Sequence, residues 1–328
     1  MFHFFILQSK GSFDIIYHMM TTKYGFVFPG QGVQTVGMGF DLAQKFPVAR
    51  VVFDEVDAAL GYSLSDLMFS GNISELTKTQ NAQPAIMAVS MAIVRIIESE
   101  VAPLMQLAGA VAGHSLGEYT ALCAAGVLTL TDTAKLLKLR GEFMAEAAQE
   151  RSGGMLALLG ANMSQASDIA RSSGCYVAND NCDGQVVLSG SQVALTTAKM
   201  LAENMHIRRV VPLAVAGAFH SPMMEGAAEK MSSVLNKVHF NLPQIPIFFN
   251  VTGLPENKTI AFVDLLVRQM TGLVHWREII QNMHVDSFVE CGQGTVLTGL
   301  IHRIRPDMPV LNGFDAIGVQ NLISSLQG

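Results

Sequence analysis

The sequence predicts an α/β fold in which a large domain is interrupted by a small βαββαβ unit. Three observations predict it. Short apolar runs of strand length are followed by glycine turns and then by stretches of helical periodicity. From about Gly154 the pattern changes to short strands and helices in quick alternation, and it later reverts. The composition, 50% hydrophobic and 15% charged over 328 residues, gives one large or two ordinary domains enough apolar surface for a real core.

Tyr24–Phe28 is aromatic and β-branched and stops at Pro29-Gly30-Gln31-Gly32, so a first strand leads into a tight glycine loop. Helical periodicity covers Asp41–Leu60 and then Gln83–Glu100, where Pro84 suits a helix start. Leu107–Ala112 reads as a buried strand, and the run from Leu116 to Ala125 reads as a helix closed by Gly126. Thr131-Asp132 is the expected N-cap of a helix reaching about Ala148. Next come strand Met155–Leu159, helix Ser164–Ser172, strands Tyr176–Asn179 and Val186–Ser189, helix Val193–Asn204 and strand Arg209–Val215. That order resembles a ferredoxin-like unit inserted into the larger domain. Pro243 and Pro246 precede strand Ile247–Asn250, which returns the chain to the main sheet. A helix near Phe262–Met270, strand Ser287–Glu290 and a Gly292-Gln293-Gly294 turn follow. The expected division is therefore 23–149 with 217–328 as the large domain and 150–216 as the small one. Residues 1–22 are expected to be a disordered extension or a misassigned start, because Met19 and Met20 stand just before the first convincing strand.

The net charge of −6 argues against nucleic acid as a partner. The four cysteines, Cys123, Cys175, Cys182 and Cys291, have no metal-ligand spacing and read as reduced buried thiols, which points to the cytoplasm. The apolar opening Met1–Gln8 is too short to span a membrane and lacks the features of a signal peptide. No other run reads as long and apolar enough to cross a membrane.

Chemistry concentrates at Gly113-His114-Ser115-Leu116-Gly117, between a strand and a helix. A G-x-S-x-G pattern is weak alone. In this context it fits a nucleophile elbow, where glycines let the backbone crowd through the turn and the serine is held above the sheet edge. The N–H after the serine and one from the first glycine loop could receive an oxyanion. A serine needs a base. His114 is adjacent to it, and neighbouring residues on a turn point different ways, so local packing is expected there. His220 ends the small-residue run from Ala214 to Phe219, where the inserted unit rejoins the large domain; it fits a cleft wall or a structural role. Arg140 shares a helical stripe with Leu136, Phe143 and Ala147. A guanidinium on a core-facing stripe is costly unless it meets an anion, so it reads as a structural ion pair, a snorkelling side chain or a fork for a substrate carboxylate. No triad acid is evident: Asp286 and Glu290 come too late in the chain to place. No metal site is expected.

Several pieces match one family in order: Phe28-Pro29-Gly30-Gln31-Gly32, Gln83-Pro84-Ala85, Gly113-His114-Ser115-Leu116-Gly117-Glu118-Tyr119, Arg140-Gly141, Ala218-Phe219-His220 and Val296-Leu297-Thr298-Gly299-Leu300. Together they resemble the malonyl-CoA:acyl carrier protein transacylases of dissociated, bacterial-type fatty-acid synthesis, from about residue 24 to the C-terminus. The resemblance implies an α/β-hydrolase-like large domain interrupted by the ferredoxin-like small one. It implies Ser115 as the acyl-accepting nucleophile, His220 as its base, and the Gln269 main-chain carbonyl as the group that orients His220. Arg140 would bind the malonyl carboxylate, with Gln83 and Phe219 also at the substrate, and the N–H groups of Gln31 and Leu116 would form the oxyanion hole. Phe219 before His220 resembles the malonyl-selective form of that motif. Val33 departs from the family, which usually has serine there, and the first 20 or so residues match nothing in it.

The resemblance thus implies ping-pong transfer of malonyl from malonyl-CoA to the phosphopantetheine thiol of acyl carrier protein, without cofactor, by a monomer. The acidic carrier is expected to meet a local basic surface, with Arg208, Arg209, Lys230, His302, Arg303 and Arg305 as candidates. Three other readings compete: a thioesterase with water as acceptor, the malonyl-transfer subunit of a malonate decarboxylase, and a non-catalytic acyl-binding protein.

Overall fold

A computed structural model describes residues 22–328. The extension expected at the N-terminus lies, up to residue 21, outside the described residues. The chain opens with β1 (Tyr24–Phe28) and, after a helical excursion, β2 (Ala108–Gly113). It then builds β3 (Gly153–Leu159), β4 (Tyr176–Cys182), β5 (Gln185–Ser191) and β6 (Arg209–Pro212). It returns through β7 (Ile247–Phe248), β8 (Pro255–Glu256), β9 (Ser287–Cys291) and β10 (Val310–Gly313).

The main sheet has the order β10-β9-β1-β2-β7-β8, parallel throughout except for the β7–β8 pair. Helices cover both of its faces, so β1 and β2 are apolar almost continuously rather than alternately. The second sheet, order β4-β5-β3-β6, is antiparallel, and its two crossover helices are Met163–Ser173 and Gln192–Asn204. With those helices, that order is the ferredoxin-like arrangement, and the α/β class expected from the sequence holds.

Several boundaries differ from expectation. The first helical stretch is two helices, Phe40–Lys45 and Pro47–Leu60, because Phe46, preceding proline, is driven to an extended conformation (φ −119°, ψ 109°). The helix expected to start at Pro84 runs Thr79–Glu100 with the proline inside it. Packing overrides the proline: a Cβ added to Gly141 would lie 2.5 Å from Gln80 Cα, so the helices Thr79–Glu100 and Leu130–Glu150 meet backbone to backbone. Thr79–Glu100 is also long and apolar enough to cross a membrane by length and composition, contrary to the sequence reading, yet most of its residues are buried in the core of the large domain. The cap of Leu130–Glu150 is Thr129 rather than Thr131-Asp132, its hydroxyl accepting from Asp132 N–H at 3.0 Å. β6 stops at Pro212, and β7 keeps two of its four expected residues. Among the helices with no sequence-based expectation are Leu64–Ser70, Glu225–Leu235, Trp276–Asn282, Val296–Ile304 and Ala316–Gln327.

The carboxyl ends of β1, β2, β7 and β9 converge, as ligand sites in open parallel sheets do. Their loops are packed tightly: a Cβ on Gly30 would meet the His114 carbonyl at 2.9 Å, and one on Gly292 would meet Pro29 at 2.5 Å.

Candidate active site

β2 ends at Gly113, the chain turns within Ser115, and the helix Gly117–Ala124 begins two residues later. Ser115 takes φ 54°, a left-handed conformation that costs a non-glycine residue about 1–3 kcal/mol. The flanking glycines are required by contact. A Cβ on Gly113 would lie 1.8 Å from the Gly117 carbonyl carbon, and one on Gly117 would lie 2.3 Å from Phe28 O.

His220, also left-handed at φ 57°, is brought to the serine from 105 residues away. Its Nε2 is 2.9 Å from Ser115 Oγ, and its Nδ1 is 2.8 Å from the Gln269 main-chain carbonyl. Burial, aided by the Arg140 charge, pushes the His220 pKa down to about 3, against the pull of the Gln269 carbonyl. The ring is therefore neutral at pH 7, with Nδ1–H donating to Gln269 and Nε2 accepting from the serine hydroxyl. Among the described residues no carboxylate reaches it. Asp286 accepts from Lys23 N–H, and the buried Glu290 holds the amino end of Val296–Ile304 through Leu297 N–H and Thr298 N–H.

Arg140 is buried, and among the described residues it makes no ion pair. Neutral acceptors hold it instead: Gln83 Oε1 at 2.8 Å, Gln269 Oε1 at 2.9 Å and Ser115 Oγ at 3.1 Å. The close helix crossing at Gly141 is what sets Gln83 opposite Arg140. Its Nε–H has no partner among the described residues, and Tyr119 lies under the guanidinium at 5.7 Å. Burial lowers the Arg140 pKa while Tyr119 and Glu118 oppose the shift. A buried cation without a counter-ion is poised for an anion.

These groups open on a cleft of about 310 Å³ between the two sheets. Gln31, Leu116, Ser115, His220 and Arg140 line one side, and Asn179, Asn181 and Gln185 line the other. The N–H groups of Gln31 and Leu116 are paired with no other described residue. Phe219 and Val33 are also on the wall, whereas Gln83 is not and stands behind Arg140. Beside Val33 the glycine loop is tied by Gln34 Oε1, which accepts from Gly32 N–H at 2.8 Å. His114 packs 5.5 Å from Trp276 and pairs with Asn181 at 2.9 Å, a contact across to the inserted sheet rather than a local one.

Of the basic candidates, Arg208, Arg209 and His302 are exposed, and Lys230 is paired with Glu146. Arg303 donates to Gln185 at the cleft, and Arg305 donates to the Met283 carbonyl. All four cysteines are buried free thiols. Among the described residues no group of three or more His, Cys, Asp or Glu could hold a metal.

Sequence reasoning missed three participants. The Gln269 side chain donates to Ser115 C=O at 2.9 Å while accepting from Arg140. Asn250 braces the elbow through its carboxamide, and Glu118, in the helix after the elbow, holds Asn250 N–H. Burial raises the Glu118 pKa to about 8, opposed by that N–H and by the Arg140 charge. An acid in the apolar helix Gly117–Ala124 was a readable signal; Asn250, at the end of an apolar run, carried none.

The model of the acyl transferase domain family matches residues 25–302. The chain is 37% identical to the malonyl CoA-acyl carrier protein transacylase of Bacillus subtilis (strain 168), over 93% of this chain and 98% of that relative. The chain belongs to this acyl transferase family. An acyl-carrier-protein S-malonyltransferase from Bartonella henselae superposes with a TM-score of 0.90 at 43% identity, covering 93% of this chain and all of that one. A malonyl-transacylase solved in complex with its type II PKS acyl-carrier protein superposes at 0.88 with 35% identity, over 93% of this chain and all of that one.

Proposed function

We propose that the chain transfers a malonyl group from malonyl-CoA to the phosphopantetheine thiol of an acyl carrier protein, through a malonyl ester on Ser115, in support of fatty-acid synthesis. The observation that carries this reading is Arg140, a buried cation held by neutral groups 3.1 Å from the serine hydroxyl. A carboxylate attached to the acyl group supplies its missing counter-charge. The substrates named for the relatives and the carrier-bound neighbour support the same acceptor.

In the proposed sequence the neutral His220 Nε2 takes the Ser115 proton as Oγ attacks the thioester carbon. The carbonyl oxygen, now negative, receives the N–H groups of Gln31 and Leu116. The carbon–sulfur bond breaks, and the CoA sulfur leaves with the proton from His220. The Gln269 carbonyl keeps the imidazole in the required tautomer, the role a carboxylate plays in other triads. The carrier thiol then gives its proton to His220, attacks the ester and departs acylated, restoring Ser115. The chain's own residues supply every proton movement, so the reaction is written without a cofactor. Phe219 forms the wall beside the acyl group, and Gln83 acts on the substrate through Arg140. The exposed Arg208, Arg209 and His302, together with Arg303 at the cleft, offer positive charge to an acidic carrier. We assign this reaction to a cytoplasmic monomer whose small domain, 150–216, closes the cleft over the large one.

The test is transfer of labelled malonyl to phosphopantetheinylated carrier protein, with the unmodified carrier as control. Labelled carrier in the first case only supports the reading. Free malonate with both carriers makes the chain a thioesterase and overturns it.

A further inference from the structure

The most completely engaged side chain at the elbow belongs to a residue with no part in the proton transfers. Asn250 is fully buried just past the carboxyl end of β7, and all of its polar groups have partners. Its N–H donates to Glu118 Oε2 at 2.5 Å, and its C=O accepts from His275 N–H at 2.8 Å. Its carboxamide addresses the elbow on both sides of the turn: Oδ1 accepts from Ser115 N–H at 2.8 Å, and Nδ2 donates to Gly113 C=O at 2.7 Å. We infer that Asn250 is a positioning residue for the nucleophile, clamping the backbone on the amino side of left-handed Ser115 and so setting the direction of its Oγ. The inference rests on reading Ser115 as the nucleophile.

A left-handed serine persists only where its surroundings over-determine it. On the carboxyl side of Ser115 the work is shared, since both Glu118 N–H and Gln269 Nε2 donate to its carbonyl. On the amino side, among the described residues, Ser115 N–H has Asn250 alone. The carboxamide is the side chain for this task, because it offers one acceptor and one donor in a rigid plane. An aspartate would keep the acceptor and lose the donor. The short β7 fits this role: the chain leaves the sheet after Phe248, which lets the asparagine reach under the elbow. Through Glu118 the same residue is tied to the helix after the turn, so strand, turn and helix are fixed to one point. Ser115 Oγ must meet both His220 Nε2 at 2.9 Å and Arg140 at 3.1 Å, and a misplacement of about 1 Å at a reacting group costs on the order of 100-fold in rate.

The experiment is rapid-quench acylation of the full chain by malonyl-CoA without carrier, read by intact mass and peptide mapping. It separates the fraction of molecules acylated from the rate at which they react. Asn250→Ala is expected to acylate the same fraction about 10- to 100-fold more slowly, with its half-saturating malonyl-CoA concentration within about twofold of the unaltered chain. Asn250→Asp, of nearly equal volume, keeps the acceptor for Ser115 N–H and supplies a second case should the alanine chain not fold; it too is expected to slow acylation. An unaltered rate in either folded variant overturns the inference. So does a reduced fraction at unaltered rate, which is the signature of partial unfolding. If the unaltered chain takes no malonyl at Ser115, the reading of the nucleophile fails instead, and the two failures are distinguished by that control.

Discussion

Replacing Arg140 with alanine is expected to narrow the preference for malonyl over acetyl donors. In the resting site the guanidinium gives bonds to Gln83, Gln269 and Ser115 Oγ and keeps N–H donors free, Nε–H among them. A malonyl carboxylate accepting two charge-assisted bonds gains about 1.5–3 kcal/mol from each. The low end of that sum, about 3 kcal/mol, corresponds to about two decades in kcat/KM. Acetyl-CoA has no second carboxylate and loses none of it. The truncation also removes a hydrogen bond to Ser115 Oγ, but that loss falls on both donors equally, so their ratio isolates the carboxylate. The assay is kcat/KM for malonyl-CoA and acetyl-CoA with one carrier, with circular dichroism to check the fold. The expected result is a malonyl-to-acetyl ratio lower by about 100-fold. Equal losses for both donors would mean that Arg140 does not bind the carboxylate and only supports the serine.

With His220 held down to about 3, its ring stays neutral through mild acid, so kcat/KM for acylation should be flat from pH 5 to 7; a fall with a midpoint near 6.5 would contradict this. Glu118 is raised from 4.5 to about 8, so the folded chain holds a proton that the unfolded chain loses from pH 4.5 upward. That contribution to stability is full below 4.5 and is lost as pH rises through 8. It amounts to about 2 kcal/mol between pH 6.5 and 8.5, a window above the one in which His220 titrates. Urea unfolding at those two pH values should show the loss in the unaltered chain and not in Glu118→Gln; an equal loss in both would refute it. Gly117→Ala drives a Cβ to 2.3 Å from Phe28 O and should lower the urea midpoint by the equivalent of about 3 kcal/mol, with acylation lost; a stable, active variant would mean the turn can open.

Much of the site was legible because its signals are local. Glycines on either side of Ser115 announce a turn, and a charged residue on the Leu136–Ala147 stripe announces a buried cation. The inserted unit was legible for the same reason, since each of its strands is bounded by its own turn or helix. What escaped is non-local. Pro84 reads as a helix start until the contact between Gly141 and Gln80 is known. The strand Ile247–Asn250 looked four residues long because apolar residues continue past Phe248, yet Asn250 leaves the sheet for an elbow 135 residues earlier in the chain. The Gln269 side chain, joining Arg140 to Ser115 C=O, likewise owes its place to folding rather than to any spacing. His114 paired across the cleft rather than locally for the same reason.

In the proposed reaction Ser115 carries the malonyl group between two thiols. The most direct measurement mixes the chain with malonyl-CoA, isolates the protein, maps the adduct by peptide mass spectrometry, and then adds phosphopantetheinylated carrier protein to the isolated adduct. The expected result is one malonyl ester on Ser115, absent from Ser115→Ala, that moves to the carrier thiol on mixing. An ester at another residue, or one that decays to malonate and leaves the carrier unmodified, would contradict it.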